Sequence, residues 1–346
     1  MTPKADAEIV QWLSVFAAEA ARDGNFNGVV FYAQDETVLF HKAYGIADRE
    51  TGAPNETTTR FNLASASKMF TAVAIGKLVE EGRLSFDDPI GKHLGTDWVS
   101  ERVGRKILVR HLLNHTSGLG MYWGEKWEAV ASRIRTIDDF RMVTSDELAF
   151  EPGAKERYSN TGYIVLGAII EKAAGETYYD YVCRTIFTPC GMGSTGFEPT
   201  DRALDGYAVG YFEDRDEGGK LKNNLSLHGA RGASAGGGWS TAADLHRFFL
   251  AMRDDLVVSA ATRAVLWSPK PLTPGYGYGF QVDSGFAGPG WVGHDGGFPG
   301  VEAFVSYNPA TGHTVVVLSN YYDSALTLME AFPKEFRKRR DDTPAE

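Results

Sequence analysis

Apolar residues recur at helical spacing near the start of the chain. Ile9, Leu13, Phe16, Ala17 and Ala20 share one face of a helix predicted over residues 9–21. Asp23-Gly24 ends it. Two alternating runs, 29–34 and 38–44, then predict a hairpin turning at Asp35-Glu36. Residues 60–63 form a short extended piece. From 65 to 81 the period is helical again, through Met69, Ala72, Val73, Ile75, Leu78 and Val79, and Gly82 stops it. Between 86 and about 225 no strand pair is evident. Helices over 107–114, 137–149 and 161–174 alternate with Gly- and Pro-bearing loops. After Gly236-Gly237-Gly238, Ser240-Thr241 opens a helix, with Asp244 placed to close a capping box on Thr241. The last third returns to strands, over 277–282, 300–307 and 313–319. A final helix, 324–339, runs into a charged tail read as solvated.

Strands at both ends and helices in the middle predict an α+β fold. Its antiparallel sheet is built from the two termini and flanked by the first and last helices, with a mostly helical region inserted. The expected division is 1–85 with 230–346 as an α/β domain and 86–229 as a helical domain. A site is expected in the cleft between them.

Composition narrows the function classes. At 346 residues, 43% of them apolar and 23% charged, the chain can bury a core without disulfides or metal. Its net charge of −10 and lack of a basic block argue against a nucleic acid or an anionic membrane as partner. The longest apolar run, 163–170, is far short of the roughly 20 residues a spanning helix needs. Ala18-Glu19-Ala20 mimics a signal-peptidase site, but Asp6, Glu8, Gln11 and Glu19 interrupt the run before it. The segment reads as a first helix, and the expected location is cytoplasmic. Cys183 and Cys190 read as two lone thiols. No cluster has metal-ligand spacing, and no cofactor is expected. Gly191-Met192-Gly193-Ser194-Thr195-Gly196 matches a dinucleotide fingerprint, but no clear helix follows, so NAD is rejected.

Three short motifs carry chemistry. Ser65-Ala66-Ser67-Lys68 puts a hydroxyl and an amine one turn apart at a helix start. An activated serine needs that pairing of base and electropositive backbone. Tyr158-Ser159-Asn160 lies on a loop before an apolar helix. Its phenol, ordinarily near pKa 10, should fall beside a cationic Lys68. His294-Asp295-Gly296-Gly297 sets small residues at a late strand, where backbone can approach a substrate. Each pattern is expected about once or less by chance in this composition, so context decides. Tyr122, Trp123 and Trp127 read equally as acyl pocket or as packing, as do Trp239 and Trp291. Arg231 reads as a solvated arginine, with carboxylate binding as the second reading.

Longer segments hold these motifs: Phe61-Asn62-Leu63-Ala64-Ser65-Ala66-Ser67-Lys68, His111-Leu112-Leu113-Asn114-His115-Thr116-Ser117-Gly118-Leu119, Tyr158-Ser159-Asn160-Thr161-Gly162-Tyr163, Gly237-Gly238-Trp239-Ser240-Thr241 and Gly293-His294-Asp295-Gly296-Gly297. In that order, over about residues 25–320, the chain resembles the serine β-lactamase and D,D-peptidase superfamily. Within it, the resemblance is to the class C β-lactamases and their esterase and D-aminopeptidase relatives. The resemblance implies a β-lactamase/transpeptidase-like fold and an acyl-serine mechanism. Ser65 would be the nucleophile, and Lys68 and Tyr158 the proton-transferring pair. Asn160 would hold the substrate or Lys68, and the N–H groups of Ser65 and Gly297 would form an oxyanion hole. His294, Gly296 and Gly297 would contact substrate. Many relatives carry Lys-Thr-Gly where this chain has His294. A mostly neutral imidazole should weaken capture of anionic β-lactams, shifting the expectation to neutral carboxylic esters. The partner expected is therefore a small acyl substrate. D-Amino-acid peptidase or amidase, weak β-lactamase, acyltransferase and a non-catalytic binding module are the alternatives.

Overall fold

The computed structural model describes residues 3–214, 218–284 and 288–341. Helix α1 (Pro3–Arg22) leads into strands β1 (Gly28–Gln34) and β2 (Thr37–Tyr44). Strands β3 (Gln281–Val282), β4 (Val292–Phe298), β5 (Val301–Asn308) and β6 (His313–Ser319) complete one antiparallel sheet in the order β2-β1-β6-β5-β4-β3. The sheet thus joins the two ends of the chain, and residues 86–229 add no strand to it.

The central strands are buried almost throughout, so both faces must be covered. Side chains alternate between the faces. Val30, Tyr32, Val315 and Val317 meet Ile9 and Leu13 of α1 and Leu328, Phe332 and Phe336 of the last helix, α5 (Leu326–Asp341). Val29, Phe31, Val316 and Leu318 face the opposite way. They join a larger core with α2 (Lys68–Glu80), α3 (Asn160–Ala174) and α4 (Ala242–Arg253). A buried polar contact fixes α1 on its face. Asp6 Oδ1 accepts from the Tyr32 hydroxyl at 2.9 Å and lies 3.0 Å from His313 Nε2.

Several local expectations need correcting. A two-stranded pair, Tyr211–Asp214 with Lys220–Asn223, lies inside the region read as strandless. Each strand is four residues long and rich in charge, so neither announces itself. The helix expected over 137–149 is a single 3-10 turn, Asp138–Met142. The strand expected over 277–282 pairs only at Gln281–Val282. Beyond it, β4 is a full strand despite three glycines. Thr241 caps α4 by accepting from Asp244 N, but the Asp244 carboxylate turns away to Ser194 N, Thr195 Oγ1 and Arg247. Residues 342–346 of the charged tail lie outside the described residues.

Glu302 ties β5 to the start of α5. It is 3% exposed, stands opposite Gly297 in the β4–β5 register, and accepts the N–H groups of Asp323 and Ala325. Burial pushes its carboxyl up to about 7, against the pull of those N–H groups. A carboxyl raised in the folded state binds its proton there at a pH where the unfolded chain has released it. Stability is therefore fully present below the ordinary glutamate range and is lost as pH rises through about 7. The loss is on the order of 3 kcal/mol at most. Thermal melting from pH 5 to 8 should show it as a decline in Tm that Glu302→Gln flattens. An equal decline in both proteins would overturn this account.

Candidate active site

Ser65 stands on a turn wedged between two other backbone segments. Residues Phe61–Asn62 pair with Trp239–Ser240, and Asn62 Oδ1 accepts from Ala64 N at 2.9 Å. Ala64 then takes φ +41°, a left-handed conformation that strains an alanine. The 3-10 turn Ala64–Ser67 follows and runs into α2. Glycines let the neighbours come close. A Cβ on Gly296 would sit 2.1 Å from Leu63 O, and one on Gly236 would sit 2.8 Å from Ala64 O.

Lys68 is wholly buried behind this turn. Its Nζ lies 3.0 Å from Ser65 Oγ, 2.8 Å from Asn160 Oδ1 and within hydrogen-bond distance of Ala235 O. Burial lowers its pKa well below the usual lysine range. A neutral amine has two N–H donors and one lone pair. Nζ is placed to donate to all three oxygens; in the unprotonated form the two carbonyl oxygens would keep the donors and the lone pair would face the Ser65 hydroxyl.

The Tyr158 side chain lines the same cavity as Ser65, and its hydroxyl is close enough for Ser65 to pull on the phenol pKa. Its ring centroid is 4.9 Å from Lys68 Nζ. The expectation of a lowered phenol pKa is corrected: burial raises it above the ordinary tyrosine value, partly offset by Ser65. Burial likewise disfavours the Lys68 ammonium, which weakens the cation that would stabilise a phenolate.

Sequence reasoning gave His115 no role, yet it carries this loop. It adopts φ +61°, and its ring centroid lies 4.2 Å from that of Tyr158. Its Nδ1 accepts from Ser159 N at 3.2 Å. Ser159 in turn caps α3 by accepting from Gly162 N, which places Asn160 at the first turn facing Lys68. The segment holding His115 was visible, but nothing in it signals a ring beneath Tyr158.

A cavity of about 210 Å³ opens in front of Ser65. Ser65, Tyr158, Asn160 and Gly297 form one end. Tyr122, Trp123, Trp127, Phe140 and Phe298 pack against one another as an aromatic wall, with neighbouring centroids 5.0–5.9 Å apart. Trp239 and Trp291 are core residues instead. A Cβ on Gly297 would meet open space. Gly296 faces Leu63 rather than the cavity, so its place is in packing the nucleophile turn.

His294, expected as a substrate contact, stands away from the cavity. It is 2% exposed and absent from the cavity wall, with Nε2 bonded to Tyr276 Oη at 2.8 Å and Nδ1 to Asp295 O. Burial pushes its pKa down to about 3, so the imidazole is neutral. Arg231 is not simply solvated: Nε donates to Phe197 O at 2.6 Å, and the guanidinium lies 3.7 Å from the Tyr179 ring centroid. Both cysteines are free thiols. Residues 191–196 form turns with no helix after them. Among the described residues, no group of three His, Cys, Asp or Glu is placed to hold a metal, and no helix is long and apolar enough to cross a membrane.

Comparison with known proteins decides the family. The family model Beta-lactamase matches residues 14–332. The chain belongs to the beta-lactamase family. Members of that family are serine hydrolases, and the fold is the β-lactamase/transpeptidase-like one. Penicillin-binding protein 4* of Bacillus subtilis is 33% identical over 315 residues, covering 85% of this chain and 68% of that protein. Esterase EstB of Burkholderia gladioli is 31% identical over 248 residues, covering 65% and 61%. A penicillin-binding protein structure from Bacillus halodurans superposes with TM-score 0.82 at 29% identity, over 92% of this chain and 99% of that one. A D-stereospecific amidohydrolase from a Streptomyces species superposes with TM-score 0.74 at 26% identity, over 91% and 94%.

Proposed function

We propose that this family member hydrolyses carboxylic esters through an acyl-Ser65 intermediate. The observation that carries the reading is Ser65 Oγ at 3.0 Å from Lys68 Nζ, with the Tyr158 ring 4.9 Å from that Nζ and lining the same cavity. As Ser65 attacks the acyl carbon, its proton passes to Lys68. The carbonyl oxygen becomes an oxyanion facing the N–H groups of Ser65 and Gly297. Collapse breaks the bond to the leaving alkoxide, which takes the Tyr158 proton. The Lys68 ammonium then returns its proton to the phenolate. In the second half, water attacks the acyl-enzyme and gives a proton to Tyr158 as Tyr158 passes its own to Lys68. Collapse of that adduct breaks the acyl–Oγ bond and releases the acid, and Ser65 Oγ takes its proton back from the Lys68 ammonium. Lys68 and Tyr158 titrate as a coupled pair, and Lys68 is its resting base. Asn160 fixes the amine.

The two-unit reading places the cavity between residues 1–85 with 230–346 and residues 86–229. Its support is the wall itself: Ser65, Gly297 and Phe298 come from the first set, and Tyr122, Trp127 and Tyr158 from the second. Two unpaired thiols favour a cytoplasmic setting.

Esters are favoured over lactams because a neutral, buried His294 stands where the resemblance would place a fixed cation. The amide reading draws on the likeness to the Streptomyces amidohydrolase. A panel of short and long 4-nitrophenyl esters, D-amino amides and a cephalosporin separates the two. Ester kcat/KM should exceed the others by about two orders of magnitude. Faster turnover of the amides or the cephalosporin would overturn the ester reading.

A further inference from the structure

The cavity beyond the aromatic wall contains a single formal charge. Among the described residues lining it, Arg231 is the only one of the Asp, Glu, Lys and Arg type. His228 lines the same space, but burial pushes its pKa down to about 4, so it is neutral near pH 7. Lys68 lies behind the Ser65 turn and is not part of the wall. A chain of net charge −10 thus presents a cationic cavity with no carboxylate in its lining.

The guanidinium is also held in place. One edge is spent, through Nε on Phe197 O at 2.6 Å, and one face lies on Tyr179 at 3.7 Å. Tyr179 and Phe197 are themselves buried, and the Tyr179 hydroxyl donates to Gly232 O at 3.1 Å. The two terminal nitrogens have no acceptor among the described residues. An arginine anchored by one edge and one face keeps its planar fork free and loses little entropy on binding. That fork matches a carboxylate with two parallel N–H···O bonds.

We propose that Arg231 is a carboxylate subsite, so the substrate carries an apolar or aromatic body and one carboxylate remote from the scissile bond. The inference rests on the acyl-serine reading only for where the bond is cut. Loss of a fixed charge at position 294 then does not leave the cavity indifferent to anions. Recognition sits beside the aromatic wall instead.

Binding tests this without any turnover. Trp123 and Trp127 line the cavity and report occupancy by fluorescence. The probes are 4-phenylbutyrate and its carboxamide, which differ only in charge. Wild-type protein should bind the carboxylate at least about tenfold more tightly than the amide, and less so at 1 M salt. Arg231→Gln should erase that ratio. Arg231→Lys, which keeps the charge but not the fork, should retain part of it. Equal affinity of wild type for both probes, binding of neither at millimolar concentration, or an unchanged ratio in Arg231→Gln would each overturn the subsite. Failure of the ester reading shows separately, as carboxylate-selective binding without ester hydrolysis.

Discussion

The Ser65→Ala variant loses ester turnover almost entirely, with kcat falling about ten-thousandfold or more. Alanine leaves the aromatic wall and the backbone N–H groups of residues 65 and 297 in place, so substrate should still bind. What disappears is the atom that forms the covalent bond. The fold should hold, because Lys68 keeps its hydrogen bonds to Asn160 Oδ1 and Ala235 O when Ser65 Oγ is gone. Thermal melting should therefore move little, by about 1 kcal/mol of stability or less. Intact-mass analysis during turnover of a slow ester should find one acyl group on wild-type protein, mapped to the peptide holding residue 65, and none on the variant. Ester hydrolysis retained by Ser65→Ala, or an acyl group on another residue, would remove the basis of the proposed mechanism.

The elements with strong periodicity could be read from the chain. Helix α1, the β1–β2 hairpin, α2, α3 and α4 lie close to where their apolar spacing put them, since each buries a well-defined face. Strand β4 was harder. Three glycines and an aspartate lower its β propensity, and the glycines are there because backbone must pass close to the Ser65 turn. That strand also explains why only one of the three expected positions lines the cavity. Positions 294 and 296 share one face of β4, and 297 lies on the other. A motif written as a string cannot say which face meets the cavity. The face with His294 and Gly296 turns toward Tyr276 and Leu63. Gly297 is left to line the cavity.

The proton chemistry was concealed for a related reason. The sequence reveals a lysine three residues after a serine, but its charge depends on burial. With a charged Lys68 the phenol of Tyr158 would fall, and with a neutral one it rises. The structure favours the second case because Nζ is wholly buried, and burial disfavours its charged form. The same burial moves the amine toward the range in which the proposed base could act.

Changing Lys68 to methionine tests that base directly. Methionine fills much of the same buried volume and has no lone pair to take the Ser65 proton. We expect kcat for 4-nitrophenyl esters to fall by about a thousandfold or more. Asn160 Oδ1 and Ala235 O lose a donor, at a stability cost of about 1–3 kcal/mol. The pH profile of the wild type separates this role from a merely structural one. The active form is the unprotonated amine, and burial lowers its pKa from the ordinary 10.5. Activity should therefore be complete above that lowered pKa and decline only as pH falls through it. Tyr158 adds no alkaline limb, because its phenol is raised and stays protonated beyond pH 10. The expected kcat/KM is level above the lowered lysine pKa, with one acid limb that lies below the ordinary lysine range. An ordinary lysine would instead give a rate rising about tenfold per pH unit toward pH 10. A steady climb of that kind would show that Lys68 rests as an ammonium and would return the role of base to Tyr158.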